Sequence, residues 1–263
     1  MSSLSLAVRD SSTMLRRNLL HARRYPSLTL NLLLTPVMLL FLFVYVFGGV
    51  MSAGIGDGGA DRSEYIAYLL PGILMMTIGG TTIGTAVSVS TDMSEGIIAR
   101  FRTMAIHRGS VLVGHVLGSV LQCVMSVVLV GAVGLAIGFR STDATVLEWL
   151  AAFGLLVLFA LALTWIAVGM GLVSPNAEAA SNNAMPLIFL PLISSTFVPI
   201  DAMPGWFQPV AEYQPFTPAI ETLRGLLLGT EIGHNGWLAV VWCLALTALG
   251  YFWSKASFDR DPK

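Results

Sequence analysis

The side chains able to do chemistry are few, and most of them lie within long apolar runs. Thr77, Thr81 and Thr85 recur every four residues, so their hydroxyls share one face of a helix, and Asn182 and Asn183 enter another apolar run. Such residues usually bond to their own backbone or to a neighbouring helix. The pattern therefore leaves open a packing role and, as the sharper hypothesis, a translocation path lined by these five residues.

No motif for ATP binding or catalysis is present in the sequence. A P-loop needs a lysine after a glycine-rich turn, and the only lysines are Lys255 and Lys263, near the C-terminus. There is no catalytic triad, no HExxH motif and no metal-ligand cluster near Cys123 or Cys243. No Asp, Glu, Lys or Arg lies in the middle of an apolar run, which argues against an ion-coupled carrier. The chain is therefore predicted not to be an enzyme, and any chemistry must come from a partner.

Composition identifies the chain as an integral membrane protein. Of its 263 residues 55% are hydrophobic and only 11% are charged, whereas soluble domains average about 25% charged residues. Mean hydropathy is +0.77. These values exclude a soluble enzyme, a disordered chain and a nucleic-acid binder with a basic face.

Six apolar runs are long enough to cross a bilayer as helices, which need about 20 residues each. They are continuous rather than alternating, so helices and not barrel strands are predicted. The runs are Tyr25–Gly56, Tyr65–Thr91, Gly109–Phe139, Trp149–Ala177, Ala179–Ile200 and Gly236–Ser254. His115, the ionisable group of the third run, is interpreted as a packing or interface group rather than a proton relay. The expected fold is an all-α membrane protein with six transmembrane helices in one domain, residues 1–263.

The distribution of Lys and Arg predicts the orientation. With six spans, eleven of the 14 basic residues fall on the side that holds both termini, and the other three are Arg62, Arg140 and Arg224. Both termini are therefore expected in the cytoplasm, with the protein in the inner (cytoplasmic) membrane.

Two segments on the predicted cytoplasmic side have helical patterns of their own. Residues 4–25 form a candidate amphipathic helix whose arginines would face lipid phosphates, either as an anchor alone or as an elbow helix that also touches a partner. Its candidate residues are Arg16, Arg17, Arg23 and Arg24.

The loop of residues 92–108 is the second such segment. Asp92 and Glu95 resemble a capping box, and an apolar stripe with flanking arginines follows. The loop is either a helix resting on the bilayer or one that inserts into a groove of a partner protein. The stripe and its flanks consist of Ile97, Arg100, Phe101, Arg102 and Met104.

The predicted external segment 201–233 is interrupted by Pro204, Pro209, Pro215 and Pro218, so one long helix is excluded. Its aromatic residues suit the depth of lipid headgroups. It is expected to form broken, re-entrant helices, serving either as an aromatic belt or as a gate.

Successive blocks of this sequence resemble a known family. MLRRNLLHARRYP, TPVMLLFLFVYVFGGVM, EYIAYLLPGILMMT, DMSEGIIARFRTMAIHR and SSTFVPIDAMPGWFQPVAEYQPFTPAIETLRGLL follow one another from about Met14 to about Leu228. In this order they resemble type-2 ABC exporter permeases, and in particular the daunorubicin-resistance permease subfamily. The chain departs from that pattern at Ala105, where the family often has proline.

The resemblance implies a six-span permease that forms a homodimer and pairs with two copies of a separate ABC ATPase. It implies an elbow helix at Arg16–Tyr25 and a coupling helix at Glu95–Met104. No cofactor is expected in this chain, since ATP and Mg²⁺ would be bound by the ATPase. The predicted function is export of amphiphilic compounds, a drug or a lipid, along a path between the subunits.

Two alternatives stay open at this stage. Within transport, the chain could export a polysaccharide or a lipid-linked glycan, which requires a wide channel with stacked aromatics. From another class, it could be a membrane-embedded enzyme or a scaffold.

Besides the ATPase and a second copy of the chain, the expected partners are membrane lipid and a hydrophobic or amphiphilic substrate. No nucleic acid is expected as a partner.

Overall fold

The computed structural model describes residues 26–51, 62–95, 108–141 and 143–259, and their regular structure is helical. Seven helices of eight or more residues organise this part of the chain. They are α1 (Pro26–Phe41), α2 (Arg62–Ser94), α3 (Arg108–Ile137), α4 (Val146–Val173), α5 (Ala177–Ala184), α6 (Phe216–Leu228) and α7 (Asn235–Asp259). The predicted elbow helix lies outside the described residues.

Four helices in the described part of the chain are long and apolar enough to cross a membrane, namely α2, α3, α4 and α7. They coincide with the second, third, fourth and sixth apolar runs. In the first run, α1 continues through a π-helical stretch, Leu42–Phe47, into Gly48–Met51. Within that run, Leu34–Phe47 is a shorter apolar helical stretch.

The fifth apolar run is not one straight helix. After α5 it continues as the short helix Pro186–Phe189 and the 3-10 turn Leu190–Ile193, and the backbone becomes extended at Ser194. Proline lacks a backbone N–H and clashes with the preceding turn, so Pro186 and Pro191 explain the breaks. The apolarity of the run predicts one span, and the prolines divide its helix.

The segment after this run is also broken. It contains the 3-10 turn Ile200–Ala202, the short helix Gln208–Tyr213 and α6. α6 ends at Gly229, whose φ of +69° lies in the left-handed region that suits a glycine C-cap.

α2 is the central element of the bundle. In its most apolar 18-residue window 72% of the residues are buried, against 28% for α3 and 17% for α7. The main core joins it to α4 and α6, where Phe159 and Phe216 meet edge to face with centroids 4.9 Å apart. α3 and α7 therefore lie at the periphery with much of their surface outside the core.

A second apolar cluster shows the relative directions of the long helices. It contains Val89 near the end of α2, Leu112 near the start of α3, Leu172 at the end of α4 and Phe258 at the end of α7. α2, α4 and α7 thus end on the same side, where α3 begins. Since α4 and α7 run in the same direction, the chain between them must return to the opposite end, and the broken fifth run does so.

Two glycines allow that broken run to pack closely on α2. A Cβ added at Gly72 would lie 2.8 Å from the Cβ of Thr196, and one added at Gly79 would lie 2.5 Å from the carbonyl oxygen of Leu187. Both distances are shorter than van der Waals contact, so a larger residue at either position would push the two segments apart.

Candidate functional site

A cavity of about 190 Å³ lies between α1, α2 and the broken fifth run. Its lining combines apolar side chains, a glycine and three threonines, and carries no formal charge. The lining residues are Thr35, Pro36, Leu39, Met76, Thr77, Gly80, Thr81 and Ile188. The arrangement suits a small apolar group with a few polar atoms.

Two of the predicted path residues, Thr77 and Thr81, lie in this lining. The Thr77 hydroxyl donates to the carbonyl oxygen of Ile73 at 2.8 Å, and that of Thr81 donates to Ile78 at 2.9 Å. A hydroxyl has one hydrogen and two acceptor lone pairs. Each hydroxyl has therefore given its hydrogen to the backbone of α2, and both remain able to accept hydrogen bonds.

The other three predicted path residues lie outside the cavity lining. Thr85 is buried within the bundle, 4% exposed, one turn further along α2. Asn182 and Asn183 are exposed on α5, and the Asn183 amide donates to the Ser174 hydroxyl at 3.0 Å. The structure thus divides the five residues between the cavity and the end of the bundle where α4 ends.

Gly80 opens onto the cavity, in contrast to its neighbour Gly79. A Cβ added at Gly80 would meet no atom within 4 Å, whereas one at Gly79 would collide with the backbone at Leu187. Adjacent glycines on α2 therefore have different roles: one permits helix packing and the other leaves space.

Asp92 and Glu95 are the two predicted coupling residues whose positions are described. Glu95 is exposed in a turn directly after α2, and its backbone N–H donates to Thr91 at 2.9 Å. Ile97, Arg100, Phe101, Arg102 and Met104 lie outside the described residues, as do the elbow arginines Arg16, Arg17, Arg23 and Arg24.

The predicted capping box at Asp92 is wrong, because α2 continues through Ser94 and Asp92 lies inside its last turn. The Asp92 side chain contacts α3 instead: its Oδ2 atom lies 3.1 Å from Nε2 of His115, and the two side chains are 13% and 4% exposed. His115 is therefore an inter-helix group, in agreement with its interpretation as a packing or interface residue.

Arg224 of α6 forms a polar cluster that sequence reasoning missed. Its guanidinium donates to Glu221 at 2.6 Å and to the carbonyl oxygens of Tyr68 at 3.1 Å and Ser195 at 2.9 Å. It also lies 3.9 Å from the centre of the Tyr68 ring, and the Tyr68 hydroxyl donates to the same Ser195 oxygen at 3.0 Å. One cation thus joins α2, the last part of the broken fifth run and α6.

No group of three or more His, Cys, Asp or Glu side chains in the described ranges could hold a metal ion. Two inter-helix polar contacts, the Asp92–His115 pair and the Arg224 cluster, lie near opposite ends of α2, with the cavity threonines between them.

Comparison with known proteins gives one consistent match. A sequence model of the family described as ABC-2 type transporter matches residues 10–228. The chain is 31% identical over 228 residues to the daunorubicin resistance ABC transporter permease protein DrrB1 of Streptomyces coeruleorubidus, covering 85% of this chain and 77% of that protein.

Two further relatives extend the comparison. The protein named "Probable doxorubicin resistance ABC transporter permease protein DrrC" of Mycobacterium tuberculosis is 24% identical over 226 residues, 82% of this chain and 78% of that protein. Nodulation protein J of Rhizobium meliloti is 23% identical over 229 residues, 82% of each chain.

Proposed function

Because the chain belongs to the ABC-2 type transporter family, we propose that it is the membrane permease of an ATP-driven exporter of amphiphilic drugs. The observation that carries this proposal is the 31% identity, over 85% of the chain, to a daunorubicin resistance permease. The family supplies the membrane subunit of a transporter, and ATP with its Mg²⁺ belongs to the partner ATPase. Drug export, and with it antibiotic resistance, is the function that this relationship supports.

The cavity beside α2 is the proposed substrate site. Its lining is uncharged and mostly apolar, which suits an amphiphile, and Thr77 and Thr81 offer acceptor oxygens. Thr85, Asn182 and Asn183 would belong to the cytoplasmic part of the same path. This assignment is supported by the position of Asn182 and Asn183 on the exposed face of α5, whose chain continues to Ile188 in the lining.

The proposed topology has six membrane crossings with both termini in the cytoplasm. Four crossings would be α2, α3, α4 and α7, and the other two would be the α1 run and the broken fifth run. The charge distribution supports the orientation, and the shared end of α2, α4 and α7 supports an odd number of crossings between α4 and α7.

The proposed assembly is a homodimer of this chain in the inner membrane. Two separate ATPase subunits bind to this homodimer. Residues 92–108 would form the contact with the ATPase, through Glu95, Ile97, Arg100, Phe101, Arg102 and Met104. Residues 4–25 would lie along the lipid interface. Asp92 would not contact the ATPase itself. It would hold the start of the coupling loop against α3.

Export of a glycan is the weaker candidate within transport. We expect a glycan path to carry stacked aromatic rings along a wide channel. The stacked pairs Phe41–Tyr45 and Phe43–Phe197 lie outside the cavity lining, which consists of aliphatic side chains, a methionine, a glycine and threonines. The lining therefore favours an apolar group of an amphiphile over a sugar.

The decisive experiment reconstitutes the chain with its ATPase in lipid vesicles. ATPase stimulation and transport are measured across a panel of planar aromatic amphiphiles, phospholipids and lipid-linked glycans. We expect the planar amphiphiles to stimulate hydrolysis and to move in the export direction. Stimulation by glycans alone would contradict the proposal.

A further inference from the structure

We propose that Arg224 is a positioning residue for export, which fastens the segment around α6 to α2 so that the two move together. This inference rests on the proposed exporter function and assigns a mechanical role to a cation outside the cavity. Its basis is the meeting of three chain segments at one guanidinium.

The guanidinium is largely, though not fully, buried, and its bonds are shared among all three segments. The Arg224 side chain is 11% exposed, and it donates to Glu221 of α6, to the Tyr68 carbonyl of α2 and to the Ser195 carbonyl of the turn between them. Removing one partner of a buried charge is far more costly than removing a surface contact. The cluster is therefore suited to stay closed during a conformational change rather than to open and close.

The Arg224 cluster lies on the same helix, α2, as the cavity lining and the start of the proposed coupling loop. α2 has 33 residues, about 50 Å at 1.5 Å per residue. Its last turn leads into the proposed coupling loop, and Tyr68 holds Arg224 near its other end. Between them, Met76, Thr77, Gly80 and Thr81 line the cavity. A displacement of α2 at the ATPase would thus reach the cavity and the α6 segment through one continuous helix.

Close packing beside the cluster supports the same conclusion. Gly72 lies one turn beyond Tyr68 on α2, and its Cα approaches Thr196 so closely that a Cβ there would collide with the threonine side chain. The Ser194 and Thr196 hydroxyls are 2.9 Å apart and brace the turn that carries Ser195. α2 and this turn are therefore held by contact as well as by hydrogen bonds.

The first test replaces Arg224 in the complete reconstituted complex. Arg224→Gln should lower drug transported per ATP hydrolysed by about tenfold, a typical size for a lost coupling between sites, while drug binding and basal hydrolysis stay near wild type. Arg224→Lys, which keeps the charge, should recover part of the loss. Arg140→Gln is the matched control, since the Arg140 guanidinium donates to the carbonyl oxygens of Leu135 and Phe139, close to it in the chain.

The second test asks whether the cluster stays closed. Gly72→Cys and Thr196→Cys are combined in a chain in which Cys123 and Cys243 are replaced. The two Cβ positions, 2.8 Å apart, must separate by about 1 Å to reach the roughly 3.5–4.5 Å of a disulfide, so transport is compared between the reduced and the oxidised form of this same variant. Oxidation should leave drug transport near its reduced value.

Two results would overturn the inference. One is unchanged coupling in Arg224→Gln, and the other is a loss of transport on oxidation that a reductant restores, since this would show that the segments must separate. Transport by the wild-type complex is measured in parallel, and its absence would contradict the proposed function instead.

Discussion

His115 on α3 lies with its Nε2 atom 3.1 Å from Oδ2 of Asp92 on α2, and both side chains are largely buried. Val89, Leu112 and Val116 form apolar contacts in the same region. The pair therefore ties together the two helices that flank the proposed coupling loop, at a place where water screens the interaction poorly.

Separating this pair should destabilise the protein. His115→Leu leaves the Asp92 carboxylate buried without its histidine donor, which costs about 1–3 kcal/mol. The measurement is thermal unfolding of the purified protein in detergent. The double variant Asp92→Leu with His115→Leu is the control, because replacing both partners by apolar groups is often close to neutral. A double variant less stable than His115→Leu alone would show that Asp92 acts mainly through its other contacts.

Substitutions at the adjacent glycines Gly79 and Gly80 of α2 can distinguish an effect on the cavity from an effect on protein stability. Gly80→Leu should fill the cavity and reduce drug binding and transport while the protein stays folded, because a side chain there begins in open space. Gly79→Ala should instead lower stability by about 1–3 kcal/mol through a clash with the backbone at Leu187. Drug binding and thermal unfolding are measured for both variants. Normal transport by Gly80→Leu would place the substrate site elsewhere.

The sequence predicted the long helices well because their signal is local. The second, third, fourth and sixth apolar runs coincide with α2, α3, α4 and α7, since length and apolarity alone decide such helices. The fifth run was predicted as a simple span, although Pro186 and Pro191 were visible signals for breaks. Proline alone does not predict such a break, because Pro36 and Pro71 lie inside the continuous helices α1 and α2.

The polar contacts could not be predicted in the same way because they depend on how distant segments pack. Arg224 lies 156 residues from Tyr68 along the chain, so its charge was counted only for orientation. Asp92 and His115 sit on different helices, and only the relative rotation of α2 and α3 brings them together. Thr77 and Thr81 were selected by their helical spacing, yet the same spacing included Thr85, which the cavity does not contain.

Topology can be tested by labelling single cysteines in a chain lacking Cys123 and Cys243, both of which are buried. With six crossings and cytoplasmic termini, a cysteine at position 57 should react with an impermeant reagent from outside. Cysteines at positions 10, 95 and 260 should react only after the membrane is opened. Outside labelling at position 260 would contradict the six-crossing count.

The contact with the ATPase can be tested within the proposed coupling loop. Apolar anchors buried at an interface usually carry more binding energy than charges at its rim. Phe101→Ala should therefore weaken co-purification of the ATPase, or lower transport per ATP hydrolysed, more than Arg102→Ala does. Both variants should still insert into the membrane, because neither residue lies in a predicted span.

The two loop variants form a matched pair, since they lie next to each other and differ in the kind of contact they remove. Equal losses in both would indicate a surface held mainly by charge. If Phe101→Ala changes neither co-purification nor transport per ATP, residues 92–108 form only a surface helix. The coupling contact would then be sought on the predicted elbow, by replacing Arg16, Arg17, Arg23 and Arg24 in turn and repeating both measurements.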